Sequence, residues 1–257
     1  MALALVVGAY GSIIGAGGGF LLIPGLALLF GLDGAEAVGT GVITLTCLHA
    51  SGALAYDRQG LVVRSVAAWW ALAAGPVAML SGWLLTNRVD SDVLLTVIGL
   101  LMMALAVFVV TGLSRRTGAA STSRGGETGE AVAPVVPRVG ALLAGASGVG
   151  FLNGTFAVGG GLVTVPYLAR VQRLSAHRAA ATTAAAGTVA SAAATVGHFM
   201  AGNIVWTHAP PLILGAVIGS SAGARMAVRL SPQTVMGLLS AGLVVAGAPL
   251  IGFAQWG

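Results

Sequence analysis

The stretch GSIIGAGGGFLLIPGLALLFGLDG, residues 11–34, is an apolar segment interrupted by three consecutive glycines and then by Pro24. The chain repeats this arrangement in GFLNGTFAVGGGLVTVPYLARVQR, residues 150–173, where Pro166 again follows a triple glycine. Glycine weakens a helix interior, and proline removes one of its backbone hydrogen bonds. The two matching interruptions therefore predict two hydrophobic segments that are each broken near the middle.

The composition predicts an integral membrane protein. Apolar residues make up 57% of the 257 residues and charged residues only 7%, whereas a typical soluble domain carries about 25% charged residues. Long apolar runs occur near 62–86, 93–113, 179–201 and 209–230. Each run has the length of about 20 residues that a helix needs to cross a bilayer, so we expect an all-α membrane fold.

The charged residues and the single cysteine exclude several classes of function. All twelve basic residues are arginine, and they form no basic stripe with interleaved aromatic residues, so nucleic acid is not an expected partner. Cys47 is the only cysteine and cannot form an internal disulfide bond. No paired carboxylates, metal-ligand cluster or nucleotide-binding loop occurs in the sequence. We therefore expect no enzyme, no catalytic residue, no metal and no cofactor.

The chain contains an internal repeat. A shift of 142 positions superimposes the two triple glycines, Pro166 on Pro24, and Thr182 on Thr40. A polar segment rich in Ser, Gly, Pro and charge separates the two halves and indicates a disordered linker. We predict a first repeat in residues 1–113, a cytoplasmic linker in residues 114–138 and a second repeat in residues 139–257. Internal repeats are typical of secondary transporters.

The positions of the arginines predict that the two repeats are inverted in the membrane. The loop after the first glycine segment is acidic, with Asp33 and Glu36, whereas its counterpart in the second half is basic. The next loop of the first half carries Arg58 and Arg64, and its counterpart in residues 201–210 has no arginine. Because basic loops remain on the cytoplasmic side, equivalent loops should face opposite sides.

The same charge rule predicts re-entrant hairpins at the two glycine segments. Residues 139–169 lie between the basic linker and the basic loop 170–178, so the chain should leave and return on one side. About 31 residues is long for one crossing and suits two half-helices joined by a turn. The repeat places a matching hairpin at residues 3–30. The prediction is two hairpins and six spanning helices, with both termini outside.

The glycine breaks predict a binding site for a small anion. A half-helix that begins inside the membrane presents unpaired N–H groups and the positive end of its dipole, which together attract an anion. Two opposed hairpins should bring two such ends together near a pseudo-two-fold axis. The predicted backbone ligands are Gly17, Gly18 and Gly19 with Gly159, Gly160 and Gly161. The alternative is that the glycines only permit close helix packing.

Two polar stripes follow the glycine breaks and predict the rest of the site. The stripes consist of Thr46, His49 and Tyr56 in the first half, and of Thr188, Ser191, Thr195 and His198 in the second. Each stripe has helical spacing, and polar groups facing lipid are costly, so we expect both to line the substrate path. Asn153, just before the second break, is a further candidate. Alternatively, these groups only bond neighbouring helices. If a proton is carried, His49 or His198 should carry it, because no acid lies at that depth.

Four stretches resemble the TauE/SafE family of sulfite exporters. They are GAGGGFLLIPGLALLFGLDGAEAVGT (15–40), ALAYDRQGLVVRSVAAW (53–69), AVGGGLVTVPYLARVQRLSAHRAAATT (157–183) and GHFMAGNIVWTHAPP (197–211). The resemblance covers both halves of the chain. It implies export of sulfite or of small organosulfur anions such as sulfoacetate across the bacterial inner membrane.

These observations together predict a secondary transporter that works by alternating access, with the anion and the lipid bilayer as its partners. The residues by themselves predict only that the substrate is a small anion. The family resemblance implies that this anion contains sulfur. Two alternatives remain open, a passive small-anion channel and a non-transporting assembly or sensor protein. A homodimer also remains open.

Overall fold

A computed structural model describes residues 1–14, 17–117, 139–158, 160–227 and 229–230, together with a few positions between 234 and 249. For residues 108–117 it describes the backbone alone. Gly159 and most of the predicted linker, residues 118–138, lie outside the described residues. The predictions for these residues, and for much of the last part of the second repeat, are therefore not addressed by the fold.

The described residues form an all-helical structure without strands, as the composition predicts. The helices are α1 (Ala2–Ile14), α2 (Gly19–Phe30), α3 (Gly34–Asp57), α4 (Arg64–Leu84), α5 (Ser91–Thr117), α6 (Val139–Phe156), α7 (Gly161–Val171), α8 (Ala176–Met200) and α9 (Ala209–Ala227). A short 3₁₀ helix, Thr86–Arg88, connects α4 to α5. The apolar runs predicted near 62–86, 93–113, 179–201 and 209–230 correspond to α4, α5, α8 and α9.

The two predicted helix interruptions are confirmed. In the first half, α1 ends at Ile14 and α2 begins at Gly19, after Gly18 has adopted the left-handed conformation with φ 76°. Glycine enters that region without the steric cost that a Cβ atom brings. In the second half, α6 ends at Phe156 and α7 begins at Gly161.

The long helices that follow the breaks begin at equivalent positions with polar caps. The Asp33 side chain caps α3 by accepting a hydrogen bond from the Glu36 N–H at 2.8 Å. The Glu36 carboxylate in turn accepts a hydrogen bond from the Asp33 N–H at 3.4 Å. Ser175, 142 positions after Asp33, caps α8 by accepting from the Arg178 N–H at 3.5 Å. These caps satisfy first-turn donors that the helix itself cannot pair, and they fix where the two polar stripes begin.

Several helices are long and apolar enough to cross a membrane. By length and composition, the described residues contain four such helices, Gly34–Asp57, Arg64–Arg88, Val139–Phe156 and His177–Met200. The helices α1, α2 and α7 are apolar but shorter. The chain is therefore a multi-pass membrane protein. Two points differ from expectation. Helix α6 has the length of a spanning helix although the sequence predicts it as one arm of a hairpin. Neither α9 nor the described part of α5, Ser91–Val107, is among the four helices that meet the length and composition of a span.

Two hydrogen bonds between the halves form a reciprocal pair. The Val63 N–H donates to Thr182 Oγ1 at 3.0 Å, and the Val205 N–H donates to Thr40 Oγ1 at 2.9 Å. Each residue of the second bond lies 142 positions from its counterpart in the first. Each half thus anchors a loop of the other half in the same way.

Helix packing follows the same reciprocity. Helix α1 packs against α9 as α6 packs against α4. At these contacts, a Cβ atom on Gly8 would lie 2.7 Å from the Ala216 carbonyl oxygen, and one on Gly150 would lie 2.4 Å from that of Ala74. Small residues allow such close backbone approach between membrane helices.

Candidate functional site

A cavity of about 20 Å³ lies at the N-terminus of α7, where α3, α4, α6 and α8 meet it. This volume is of the order needed by one or two water-sized groups. The polar residues of its wall are His49, Asn153, Thr164, Thr183 and Ser191, and Gly160 and Gly161 contribute backbone. Trp70, Ala74 and Val149 are among the apolar residues that complete the wall. A smaller apolar cavity adjoins it and shares Val149, Asn153 and Gly160.

Three polar side chains form a hydrogen-bonded chain along one side of the cavity. Ser191 Oγ lies 3.3 Å from His49 Nδ1 and accepts a hydrogen bond from Asn153 Nδ2, also at 3.3 Å. His49 and Ser191 are equivalent residues of the two halves, 142 positions apart. Their contact places the predicted stripes side by side, and brings together α3, α6 and α8.

Two buried polar atoms of the cavity residues have no hydrogen-bond partner among the described residues. They are Asn153 Oδ1 and Thr183 Oγ1, and each residue is only 3% exposed. A buried polar atom without a partner costs about 1–3 kcal/mol. Such groups are uncommon in folded proteins and call for an explanation. Both atoms are therefore able to bond a polar group, a ligand or a water, that enters the cavity.

The start of α7 contributes a positive potential to the cavity. Gly160 is the N-cap residue and Gly161 the first residue of the helix, and both line the cavity. The first N–H groups of a helix have no partner within it, and the dipole places a partial positive charge there. A Cβ atom on Gly160 would lie 2.6 Å from Val149 Cγ1. The absence of a side chain therefore leaves the backbone open to a ligand.

The cavity wall carries no formal charge from arginine or from carboxylates among its described residues, and His49 is the only titratable residue there. The described part of the chain also contains no group of three or more His, Cys, Asp or Glu residues that could hold a metal ion. The chemistry available to the site is hydrogen bonding from neutral groups together with the helix dipole.

The first glycine break reaches the cavity only indirectly. A Cβ atom on Gly17 would lie 2.3 Å from His49 Nε2, so Gly17 lies directly behind the imidazole ring. A Cβ atom on Gly18 would instead meet Val7 at 2.8 Å, and Gly19 is buried at the start of α2. Four of the wall residues correspond, by the shift of 142 positions, to buried leucines, namely Leu22, Leu45, Leu48 and Leu212.

Three predicted threonines bond helices rather than line this cavity. Thr46 and Thr195 join α3 to α8 through a hydrogen bond of 3.0 Å between their hydroxyl groups. Each hydroxyl also lies within hydrogen-bond distance of the carbonyl four residues earlier, so one of the two donates across the interface and the other to its own helix. Thr188 donates to the Ala184 carbonyl within α8. The contact between Thr46 and Thr195 favours the alternative in which these two residues connect neighbouring helices.

Tyr56 and His198 make equivalent contacts away from the cavity. The Tyr56 hydroxyl donates to the Ser12 carbonyl at 2.9 Å, and His198 Nε2 donates to the Gly154 carbonyl at 2.8 Å. The other ring nitrogen of His198 accepts from the Asn203 amide at 3.3 Å. Since both of its ring nitrogens are engaged, His198 anchors the end of α6. His49 remains as the histidine of the cavity.

Thr164 and Thr183 line the cavity but were not among the predicted site residues. In the first half, the equivalent positions are Leu22 and Gly41. The signal that could have identified these threonines is a polar residue present in only one repeat at a predicted helix interior. A search for matching residues in both repeats discards that signal.

The apolar helices and the two interrupted helices define a class, the multi-pass membrane proteins. The chain belongs to the family described as "Sulfite exporter TauE/SafE", whose model matches residues 1–250. This confirms the resemblance noted from the glycine–proline segments.

Curated relatives of similar length carry transporter names. The chain is 24% identical to "Probable membrane transporter protein YunE" of Bacillus subtilis over 97% of this chain and 95% of the relative. It is 25% identical to "Probable membrane transporter protein MJ0441" of Methanocaldococcus jannaschii over 94% of this chain and 90% of the relative. A third relative, from Sinorhizobium fredii, is 32% identical over 46% of this chain and 48% of its own. No solved structure matches the chain.

Proposed function

We propose that this transporter exports a small sulfur-containing anion, sulfite, sulfoacetate or a related organosulfur compound, across the bacterial inner membrane. The observation that carries the proposal is the cavity at the N-terminus of α7, where Asn153 Oδ1 and Thr183 Oγ1 are buried without partners. A helix N-terminus favours an anion, and the family description names sulfite.

In the proposed binding mode, the anion lies against the backbone of Gly160 and Gly161. The hydroxyl groups of Thr164 and Thr183 would donate to its oxygen atoms, and Asn153 and Ser191 would complete the wall. His49 would close the site from α3, with Gly17 supporting its ring. Because the cavity of about 20 Å³ has room for only one or two water-sized groups, the helices around it would have to separate to admit the anion.

We also propose that the two halves are inverted repeats. The proposal is supported by reciprocal contacts at a shift of 142 positions, including the bonds of Val63 to Thr182 and of Val205 to Thr40. In such folds the halves exchange conformations between inward-facing and outward-facing states. That exchange would bring the N-terminus of α2, with Gly17–Gly19, towards the anion in the opposite state and would give alternating access.

Re-entrant hairpins remain part of the proposal. The pairs α1–α2 and α6–α7 are each interrupted at glycine, and a broken helix is tolerated inside a membrane where it borders protein or a cavity. The polar end of α6, with Asn153, Gly154 and Thr155, is buried and abuts the cavity. A lipid-exposed position would be costly for that end of the helix.

Counterflow in proteoliposomes tests the function. Vesicles loaded with unlabelled sulfite should accumulate labelled sulfite from outside against its concentration gradient, and uptake should stop when the internal sulfite is omitted. Competition by sulfoacetate would extend the substrate range to organosulfonates, and its absence would restrict the range to sulfite. A conductance without counterflow would indicate a channel, and the absence of both would overturn the transport of these anions.

A further inference from the structure

We propose that the cavity selects a monoanion that carries its own hydrogen-bond donor, so that the bound form is hydrogen sulfite rather than the sulfite dianion. The inference rests on the proposed sulfite site and specifies the protonation state of its ligand. It follows from the polarity of the cavity wall and from the charge that the wall can neutralise.

The cavity wall contains a buried hydrogen-bond acceptor, Asn153 Oδ1. Asn153 commits its amide N–H to Ser191 Oγ at 3.3 Å, which leaves Oδ1 as a buried acceptor without a partner among the described residues. A fully deprotonated oxyanion has only acceptors, so it would repel this oxygen. A ligand with one O–H group can donate to Oδ1 while its remaining oxygens accept from other groups.

The wall also contains hydrogen-bond donors for the remaining oxygens of the ligand. The N–H groups at Gly160 and Gly161 begin α7, and the hydroxyl of Thr183 is unpartnered and 3% exposed. These groups can donate to the oxygens of an anion. The backbone N–H groups only donate, the hydroxyl of Thr183 can donate, and Asn153 Oδ1 can only accept. A protonated oxyanion can therefore satisfy all of these groups, whereas a fully deprotonated one leaves Asn153 Oδ1 unpaired.

The limited positive charge of the wall favours a monoanion. The only permanent positive potential in the described wall is the helix N-terminus, which is equivalent to about half an elementary charge. Burying a dianion costs about four times as much as burying a monoanion of the same size, because the solvation cost rises with the square of the charge. Without a cationic side chain to offset that cost, the site suits a single negative charge.

The pH dependence of binding is determined by the titratable groups that face the ligand. His49 on α3 is the only titratable residue in the described wall. On the other packed elements, His198 of α8 bonds the Gly154 carbonyl, and Arg64 of α4 pairs with Asp57 at 3.0 Å. A pH response of binding can therefore come from the ligand or from His49, and an experiment has to separate the two.

Chlorate provides that separation. It has the same pyramidal arrangement of three oxygens as sulfite, but it is a monoanion without a proton throughout the useful pH range. Isothermal titration of the purified protein, carried out anaerobically, would compare sulfite and chlorate below and above the second ionisation of sulfurous acid. A titrating group of the protein would change the affinity for both anions. The ratio of the sulfite affinity to the chlorate affinity therefore reports the ionisation of the ligand.

We expect hydrogen sulfite to bind at least about fivefold more tightly than chlorate, because chlorate leaves Asn153 Oδ1 unpaired. Above the ionisation of the ligand, the apparent affinity for total sulfite should fall about tenfold per pH unit relative to chlorate. Equal affinities, or a ratio that does not change with pH, would overturn the choice of the protonated form while leaving a sulfite site in place. No binding of sulfite at either pH would instead overturn the proposed function.

Two variants assign the discrimination to the cavity. Asn153→Leu removes the acceptor and should bring the ratio of hydrogen sulfite to chlorate affinity close to one. Thr183→Val should weaken both anions by a similar factor, because its hydroxyl is a donor to either. The matched control is Thr86→Val, which deletes another buried hydroxyl without a partner, located outside the cavity, and should leave the ratio unchanged. An unchanged ratio in a folded Asn153→Leu protein would contradict the role of Asn153.

Discussion

At the scale of single residues, the two glycine breaks differ although their sequences match. Gly18 has φ 76°, and an added Cβ would lie 2.8 Å from the Val7 carbonyl oxygen, which is backbone. Gly160 has φ −48°, and an added Cβ would meet the movable end of the Val149 side chain at 2.6 Å and Thr164 Oγ1 at 3.3 Å. The first glycine is thus required by the fold, whereas the second is required by the space in the cavity.

This difference predicts separate effects of two alanine substitutions. Gly18→Ala should lower the free energy of unfolding by at least about 1–2 kcal/mol, because a Cβ atom is forced into a left-handed conformation. Gly160→Ala should leave the protein folded but weaken sulfite binding by about tenfold or more, because the ligand loses contact with the backbone. Thermal unfolding and isothermal titration measure the two quantities.

The matched control for both variants is Gly148→Ala, because Gly148 lies in α6 and an added Cβ there meets nothing within 4 Å. It should leave binding unchanged and raise the free energy of unfolding by up to about 1 kcal/mol, because alanine favours a helix interior over glycine. If a monodisperse Gly160→Ala protein binds sulfite as tightly as the parent protein, the glycine serves packing alone and the anion site lies elsewhere.

A second prediction at this scale concerns His49. If the ligand brings its own proton, His49→Gln should keep the alkaline loss of sulfite binding, because that loss follows the ionisation of sulfite. The glutamine amide can still bond Ser191, so binding at low pH should persist. Titration of sulfite across pH, with chlorate as the reference, provides the measurement.

The opposite outcome would assign the proton to the protein. A flat pH profile for sulfite in folded His49→Gln would show that His49, and not the ligand, carries the dependence. His198→Gln is the comparison variant, since His198 bonds the Gly154 carbonyl outside the cavity. That substitution should reduce thermal stability and leave the pH dependence of binding as it is.

At the scale of the elements, the reciprocal loop anchors give a test of the pseudo-symmetry. Thr40→Val and Thr182→Val each remove the acceptor of a loop N–H, that of Val205 and that of Val63, without a change in side-chain volume. Each should lower the free energy of unfolding by about 1–3 kcal/mol, because a largely buried donor loses its partner. The two losses should be similar if the two halves are equivalent.

The control for this pair is Thr96→Val, whose exposed hydroxyl bonds the carbonyl of Asp92 within its own helix. It should change the unfolding midpoint little. A large loss for one of the two anchors and none for the other would contradict equivalent roles for the two loops.

The elements also show what the sequence could and could not predict. The glycine breaks, the caps at Asp33 and Ser175 and the long apolar helices follow from local rules, and repetition made them visible twice. The cavity depends on the difference between the repeats, because Thr164 faces a space that Leu22 fills in the other half. Which polar residue of a stripe meets a cavity depends on the rotation and packing of helices distant in sequence, and periodicity does not specify that.

At the scale of the whole molecule, the open question is the path of α6 through the membrane. Its 18 residues satisfy the length of a spanning helix, whereas the positions of the arginines predict that residues 139–169 enter and leave on one side. The length argument places Arg173 opposite the linker, since α7 with 11 residues is too short to cross back. The distribution of the arginines instead predicts that Arg173 lies on the same side as the linker.

Single cysteines in a Cys47→Ala background decide between these paths. Ser123→Cys in the predicted linker and Arg173→Cys, an exposed position, should both react with a membrane-impermeant maleimide from the cytoplasmic side only. Thr207→Cys, which is exposed in the loop without arginine, should react from the outside only and serves as the internal control for sidedness. Labelling of positions 123 and 173 from opposite sides would show that α6 crosses the membrane. The chain around the cavity would then pass from one side to the other, and the inverted-repeat mechanism would lose its second hairpin.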